Sequence, residues 1–345
     1  MSANEHIQAR LAQLGEGRDL SRVESRALFE SIMTGAATDA QIGGVLMALK
    51  VKGETVDEIT GATEAMRALS EKVPVETPYL VDTCGTGGSG GAKLFNISTA
   101  AAFVAAAAGA HVAKHGNRGM TSRSGSADVL EAGGVNLNLS PQQIARCIRE
   151  AGVGFMFAPV HHRAMKYAAA SRRELGTRTL FNLLGPLTNP ASAPNQVIGV
   201  YSPKWLEPLA HVLLRLGSRH VILVHADGLD EVSIAGPSQI VELRRGEIER
   251  FTISPQDFGI AATPLDGLVA ESPHASLALM QRAFDEPESA ASHIVALNAG
   301  AAIYVSGVAT SLANGVAMAQ DAIAAGLANE RFAELVRLTA LMGAA

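Results

Sequence analysis

Residues 79–118 hold the feature that most constrains the fold. An apolar run, Tyr79–Cys84, leads into a loop carrying Gly85, Gly87, Gly88, Gly90 and Gly91, and Asn96, Ser98 and Thr99 then open an alanine-rich segment. This order predicts a strand, a glycine loop and a helix, whose first N–H groups form a nest that favours phosphate. The next apolar run ends at Lys114, His115, Asn117 and Arg118 and passes into a hydroxyl-rich loop, Thr121, Ser122, Ser124 and Ser126. One βαβ unit therefore delivers two anion-binding edges to the same end of a sheet. A phosphate-rich small molecule is the expected ligand.

Gly85, Gly87 and Gly90 match the spacing G-x-G-x-x-G. A dinucleotide site, however, needs an acid at the end of the second strand to hold the ribose hydroxyls, and that edge carries Lys114 and His115. No Gly-Lys-Ser/Thr closes the loop, which excludes a P-loop. A plain tight turn accounts for one or two of these glycines, but not for five beside a basic, hydroxyl-rich partner loop.

A chain of 345 residues can bury a sizeable core and is expected to hold two structural units. Its net charge of −5 argues against a protein that coats nucleic acid, which needs a basic footprint. The two cysteines, Cys84 and Cys147, lie too far apart for a disulfide framework or a zinc site and read as small packed hydrophobes. The opening stretch, MSANEHIQARLAQLG, is polar and helical in pattern, unlike a signal peptide. Apolar runs such as Ala100–Ala108 fall far short of the roughly 20 residues that a membrane span needs. A soluble cytoplasmic protein, with no nucleic acid or membrane partner, is the expectation.

Residues 4–72 read as four consecutive helices. Ser21–Glu24, Thr38–Gln41 and Thr55–Glu58 fit the capping-box spacing, and Gly35 and Gly53 sit where C-terminal caps belong. Apolar residues recur at helical intervals, as in Ile42, Val45, Leu46 and Leu49, and leave one apolar stripe per helix. From about residue 78 the pattern changes. Strands are expected near 79–84, 110–114, 153–158, 196–201 and 220–225, and helices near 96–109, 140–151 and 203–217. This alternation fits buried parallel strands joined by helices. Segments 238–244 and 248–253 read as a hairpin, 167–176 as a cationic helix, 181–190 as a proline-bearing connector, and 274–345 as mostly helical with an apolar segment at 294–306.

Asp227, Asp230 and Glu231 crowd three carboxylates after the strand VILVHA. Alone they would read as an Asp-Gly turn with solvated acids. Beside a polyphosphate site, Asp230 and Glu231 suit Mg2+, which takes one or two carboxylates together with waters and phosphate oxygens. Arg172 lies on the cationic helix, where an arginine forms either a solvated face or a bidentate clamp on a carboxylate. His161 and His162 could line a cleft, but no third ligand at metal spacing accompanies them. Nothing resembles a Ser-His-Asp triad. The pattern suggests transfer chemistry run by positioning and charge stabilisation.

GTGG at 85–88, NIST at 96–99, KHGNR at 114–118, SGSADVLE at 124–131, RRELG at 172–176, FNLLGPLTNP at 181–190 and DGLDE at 227–231 together resemble the anthranilate phosphoribosyltransferases, in order and spacing, along nearly the whole chain. The resemblance implies transfer of phosphoribose from 5-phosphoribosyl 1-diphosphate (PRPP) to the amine of anthranilate, in tryptophan synthesis. It implies a homodimer with a small all-helical domain (1–75, joined by helices near 168–190) and a larger α/β domain (76–345) with a mostly parallel sheet, as in nucleoside phosphorylases. The family's PRPP contacts would fall on Gly85, Gly88, Ser89, Asn96, Ile97, Ser98, Thr99, Lys114, His115, Gly116, Asn117, Arg118, Ser122 and Ser126. Its anthranilate contacts would fall on Gly85, Asn117 and Arg172, and its Mg2+ ligands on Ser98, Asp230 and Glu231. His115, Asn117 and Arg172 are the candidate catalytic residues, with His115 positioning the amine.

The chain departs from the family pattern in its glycine loop. Ser89 stands for the usual Asp, Leu94 for the usual Thr, and the loop is one residue longer. Altered loop mobility or weaker substrate binding is expected, rather than a new reaction. Two other classes fit in part. Nucleoside phosphorolysis would need a base-reading pocket, whereas the KHGN and RRELG pair suits an amino-benzoate. Nucleic-acid binding, as in a relative of the family, wants a basic surface that this chain lacks.

Overall fold

The computed structural model of the chain describes residues 3–87, 94–119 and 124–343. Four helices come first: α1 (Ala3–Gly15), α2 (Arg22–Met33), α3 (Asp39–Lys52) and α4 (Val56–Leu69). All three expected capping boxes form, each satisfying end groups that would otherwise lack partners, at about 1 kcal/mol apiece. Gly35 and Gly53 take φ of +82° and +91°, which only glycine adopts without strain, and stop α2 and α3. The apolar stripes of these helices bury Leu28, Phe29 and Ile32, Ile42, Leu46 and Leu49, and Ile59 and Ala62.

The remainder is a seven-stranded sheet: β1 (Leu80–Gly85), β2 (His111–Gly116), β3 (Val153–Phe157), β4 (Asn195–Gly199), β5 (His220–His225), β6 (Ser238–Arg244) and β7 (Glu247–Ile253). The spatial order is β3-β2-β1-β4-β5-β6-β7, parallel through β5 and antiparallel at β6 and β7. The expected edge hairpin turns at Arg245 and Gly246, both at positive φ, the geometry of a two-residue hairpin loop.

The helices of this part are α5 (Ile97–Ala107), α6 (Ser126–Ala132), α7 (Pro141–Glu150), α8 (Ala158–His161), α9 (Lys166–Leu175), α10 (Phe181–Leu187), α11 (Leu206–Arg215), α12 (Pro273–Asp285), α13 (Ala290–Ser306), α14 (Leu312–Ala324) and α15 (Leu327–Gly343). Side chains alternate across each strand, so the sheet divides two cores. In β5, Ile222 and Val224 face the core shared with α5, α7 and α12 to α15, whereas Val221 and Leu223 face the one shared with α1 to α4 and α9 to α11.

Two local expectations are corrected. Residues 181–187 form a helix rather than a connector, although Pro186 lies inside it. Burial of Phe181, Leu183, Leu184 and Leu187 outweighs the one backbone bond that the proline cannot make. The hydroxyl-rich loop after β2 gives way to α6 already at Ser126. Helices α9 and α10 pack on α2 to α4. The Phe29 and Phe181 rings meet edge to face at 5.8 Å, and the Ser171 hydroxyl donates to Asp39 at 2.8 Å.

A candidate active site at the sheet's switch point

Chain order reverses between β1 and β4, and in open α/β sheets a crevice opens outside the carboxyl ends of strands at such a point. The sequence widens it. Ladder pairing of β1 with β2 is confined to Leu80–Val81 and His111–Val112. Beyond that, side chains replace the ladder: Asp82 Oδ1 accepts the His115 N–H (3.2 Å), Asn189 Nδ2 donates to the Ala113 carbonyl (2.9 Å), and Lys114 Nζ donates to the Thr83 carbonyl (2.5 Å). The two strands splay, and Lys114, buried at 2% exposure, bridges them from below the crevice.

The acidic loop after β5 reaches across to the glycine loop. Gly87 N–H donates to Asp230 Oδ2 (3.0 Å), and Ser98 N–H donates to Glu231 Oε1 (3.2 Å). Lys114 Nζ also reaches Ser98 Oγ (3.3 Å). Glycine is required where the loop crosses. A Cβ on Gly85 would stand 2.7 Å from Asp230 Oδ2, and one on Gly199 would stand 1.6 Å from the Asp230 carbonyl. Burial, with the Asp230 charge beside it, raises the Glu231 carboxyl to about 8. Burial lowers the Lys114 ammonium and raises Asp82.

Two adjacent carboxylates that resist ionising together form a donor set for a hard divalent cation. Ser98 Oγ lies on the same web of contacts, so the residues present fit Mg2+. Among the described residues no cluster of three or more histidine, cysteine or carboxylate side chains is placed to hold a metal. A donor set of two carboxylates and a hydroxyl would leave coordination positions for substrate oxygens.

The other expected phosphate contacts divide. Gly88, Ser89 and Ser122, with Gly90, Gly91 and Thr121, lie outside the described residues. Ile97 is buried and its N–H bonds the Phe95 carbonyl (2.8 Å), while Thr99 N–H bonds the Asn96 carbonyl (3.1 Å). Of these three N–H groups at the start of α5, only that of Ser98 faces the acidic loop. Asn96 spends its amide within the protein: Oδ1 accepts from Ser276 Oγ (2.7 Å) and Ser124 Oγ (2.8 Å), and Nδ2 donates to the Ser124 carbonyl (3.2 Å). It ties the two loops together. Arg118 pairs with Asp128 and Glu131 of α6 and stacks on Phe157 at 5.4 Å. Gly116 lies against Ser126, whose hydroxyl bonds the Asn117 carbonyl (3.4 Å). Leu94, where the family pattern has Thr, bridges to Val269 and packs on the core.

Two further candidate residues, Arg172 and His115, lie near α10. Arg172, half-buried at the end of α9, sits 5.3 Å from the Phe181 ring centre, and no carboxylate pairs with it among the described residues. Burial lowers its guanidinium from the ordinary value. At the other end of α10 the Gly185 backbone lies near the His115 ring. The His115 ring centre lies 5.0 Å from that of His162, which shares a small apolar crevice with Met33 and Met66 of the helical module. Burial holds His115 well below the ordinary histidine value and His162 down to about 4, so both are neutral near pH 7. His115, His161 and His162 each keep Nε2 buried with no hydrogen-bond partner. A separate cavity of about 580 Å³ opens at the amino ends of β1, β4 and β5, and none of the candidate residues lines it.

Fold and site together define a two-module transferase of sugar groups. Residues 8–70 match the family model for the helical bundle domain of a glycosyl transferase family, and residues 77–329 match that family's α/β domain. The chain is 57% identical to an anthranilate phosphoribosyltransferase from Saccharophagus degradans, over 97% of this chain and 100% of the relative. It is 58% identical to one from Thioalkalivibrio sulfidiphilus, over 93% and 95%. The crystal structure of the Thermus thermophilus enzyme superimposes with a TM-score of 0.89 at 41% identity, covering 95% of this chain and 98% of that one. A Saccharomyces cerevisiae structure in complex with PRPP and Mg shares the fold, at a TM-score of 0.86 and 23% identity, over 97% and 98%. The chain belongs to the anthranilate phosphoribosyltransferase family.

Proposed function

We propose that the crevice at the β1–β4 switch point carries the family reaction, with the residues above in the following roles. The chain transfers the phosphoribosyl group of PRPP to the amine of anthranilate, releasing diphosphate, in tryptophan biosynthesis. As the C1–O bond of the ribose breaks, positive charge develops on the sugar and negative charge on the leaving diphosphate. The Lys114 ammonium stabilises the leaving group, while Asp230 and Glu231, by accepting the Gly87 and Ser98 N–H groups, keep the glycine loop and the start of α5 in place. Mg2+, held by Asp230, Glu231 and Ser98, would neutralise part of that charge when bound.

On the acceptor side, Arg172 grips the anthranilate carboxylate, and proximity to C1 supplies much of the rate. His115, neutral, helps to position the aromatic amine, and Asn117 closes the site beside it. The observation that carries this reading is the web from Gly87 to Asp230 and from Ser98 to Glu231 and Lys114, which joins three strands at one point. The S. cerevisiae relative in complex with PRPP and Mg supports it by analogy of fold.

The wider reading takes residues 1–75 with α9 and α10 as the helical domain and the rest of 76–345 as the α/β domain. Packing of α9 and α10 on α2 to α4 supports that division. A homodimer is part of the reading. So is a cytoplasmic location, and no helix among the described residues is long and apolar enough to cross a membrane. Mixing the protein with anthranilate, PRPP and Mg2+ should convert anthranilate to its phosphoribosyl derivative, followed by fluorescence. Absence of conversion at any Mg2+ concentration would overturn the assignment.

A further inference from the structure

We propose that Asn298, on the buried helix α13, is a positioning residue that aims Asp230 and Glu231 at the cation. Asn298 is 2% exposed in a helix whose neighbours are Ile294, Val295, Ala296, Leu297, Ala299 and Ala301. An amide at such a place is costly unless every polar atom finds a partner. Asn298 Oδ1 accepts the Val232 N–H at 2.9 Å, and Nδ2 donates to the Val232 carbonyl at 2.9 Å and to the Ile294 carbonyl at 2.8 Å. Both backbone groups of one residue are thus held by one side chain. That fixes the rotation of the residue as well as its place, and it is the residue directly after Glu231.

The other end of the acidic loop is fixed differently. Ala226 and Leu229 exchange backbone hydrogen bonds of 3.0 and 2.8 Å across Asp227 and Gly228, at φ of +44° and +83°. The His225 ring bonds the Val200 carbonyl (2.7 Å) with one nitrogen and accepts the Gly228 N–H (3.2 Å) with the other. Asp230 and Glu231 therefore span two anchors, an upstream turn and the Asn298 clamp. Mg2+ tolerates little departure from octahedral geometry, at ligand distances of roughly 2.0–2.1 Å. Freeing Val232 would release both carboxylates from alignment while leaving their chemistry intact.

This inference rests on the cation role given to Asp230 and Glu231, so the wild type is read first. Two quantities are measured against Mg2+ concentration: the rate, and the rise in melting temperature that PRPP induces. The KM for anthranilate serves as the control. Asn298→Leu keeps the volume and removes all three bonds. It should raise the Mg2+ needed for half the rate and for half the melting shift by about tenfold, some 1.4 kcal/mol, with recovery at high Mg2+. The KM for anthranilate should stay within about twofold, since residues of the acceptor side keep their contacts. Asn298→Ser, which keeps one hydroxyl for Val232, should fall between. An unchanged Mg2+ dependence, or an equal change in the KM for anthranilate, would show a packing role only and overturn the proposal. If the leucine variant does not fold, the serine variant decides by the same criterion. A wild type with no Mg2+ dependence overturns the cation reading, and the clamp with it.

Discussion

On the proposed phosphate side of the crevice Gly87, Ser98 and Lys114 each bond a protein partner, whereas on the proposed acceptor side His115 keeps a buried ring nitrogen unmet and Arg172 has no counter-ion among the described residues. The contrast follows from what each half must hold. A diphosphate with its cation brings several charges at once, and the groups that receive it must be kept in place against their own repulsion. Here the carboxylates do this for the N–H groups and Lys114 does it for Ser98. A flat aromatic acid brings one charge and one amine, and an uncommitted arginine at a fixed position is enough to orient it. One half is pre-assembled, and the other is completed by its ligand.

Breaking the assembled half should have the largest effect. Asp230→Asn or Glu231→Gln removes a carboxyl that holds the glycine loop or the start of α5 and that would ligate the cation. Steady-state kinetics should show kcat/KM for PRPP reduced on the order of 10²–10³-fold, with the KM for anthranilate little changed. Comparable losses on both substrates would mean that the halves are not separate.

Arg172→Ala strikes the other half. Loss of a charge-assisted contact should raise the KM for anthranilate about 10- to 100-fold, with that for PRPP within about twofold. Equal effects would remove Arg172 from the acceptor role.

The buried histidines yield a smaller effect, on stability. His162 has a folded value of about 4 against an ordinary 6.5, so the unfolded chain binds the proton first. Its neutral state therefore contributes stability that is complete above about pH 6.5 and lost as pH falls towards 4. Thermal melts of wild type and His162→Gln should diverge in pH dependence across that window, with the wild type losing more. Parallel curves would contradict the burial argument. The smallest effect is expected at Arg118, which is exposed and already paired with Asp128 and Glu131. Arg118→Ala should alter the KM for PRPP by less than about threefold. A larger rise would return Arg118 to the phosphate contacts that the family resemblance implied.

The parts of the molecule legible in the sequence are those whose cause is local. Ser21, Thr38 and Thr55 cap helices because partners three residues away satisfy them, and β1, β2 and β5 show as apolar runs. Gly85, Ser98, Lys114, Asp230 and Glu231 were readable as one site because each lies at or just beyond the carboxyl end of a strand or at the start of a helix, and parallel topology gathers such ends. The unread parts depend on distant neighbours. Nothing near Asn96 announces that Ser276, 180 residues away, takes up its amide. Nothing beside Asp82 announces that it holds β2 after the ladder stops, or beside Asn298 that it grips Val232. A polar residue inside an apolar run, as in IVALNAGAAIYV, was the only available signal. Helix α10 was missed because Pro186 masked a segment whose burial decides its shape.

Calorimetric titration of PRPP into the wild type and into Asp230→Asn, each with Mg2+ present, tests most directly whether the acidic loop and glycine loop form one binding unit. Saturable heat from the wild type, lost or greatly weakened in the variant, is the predicted result. Equal binding by both proteins would contradict it.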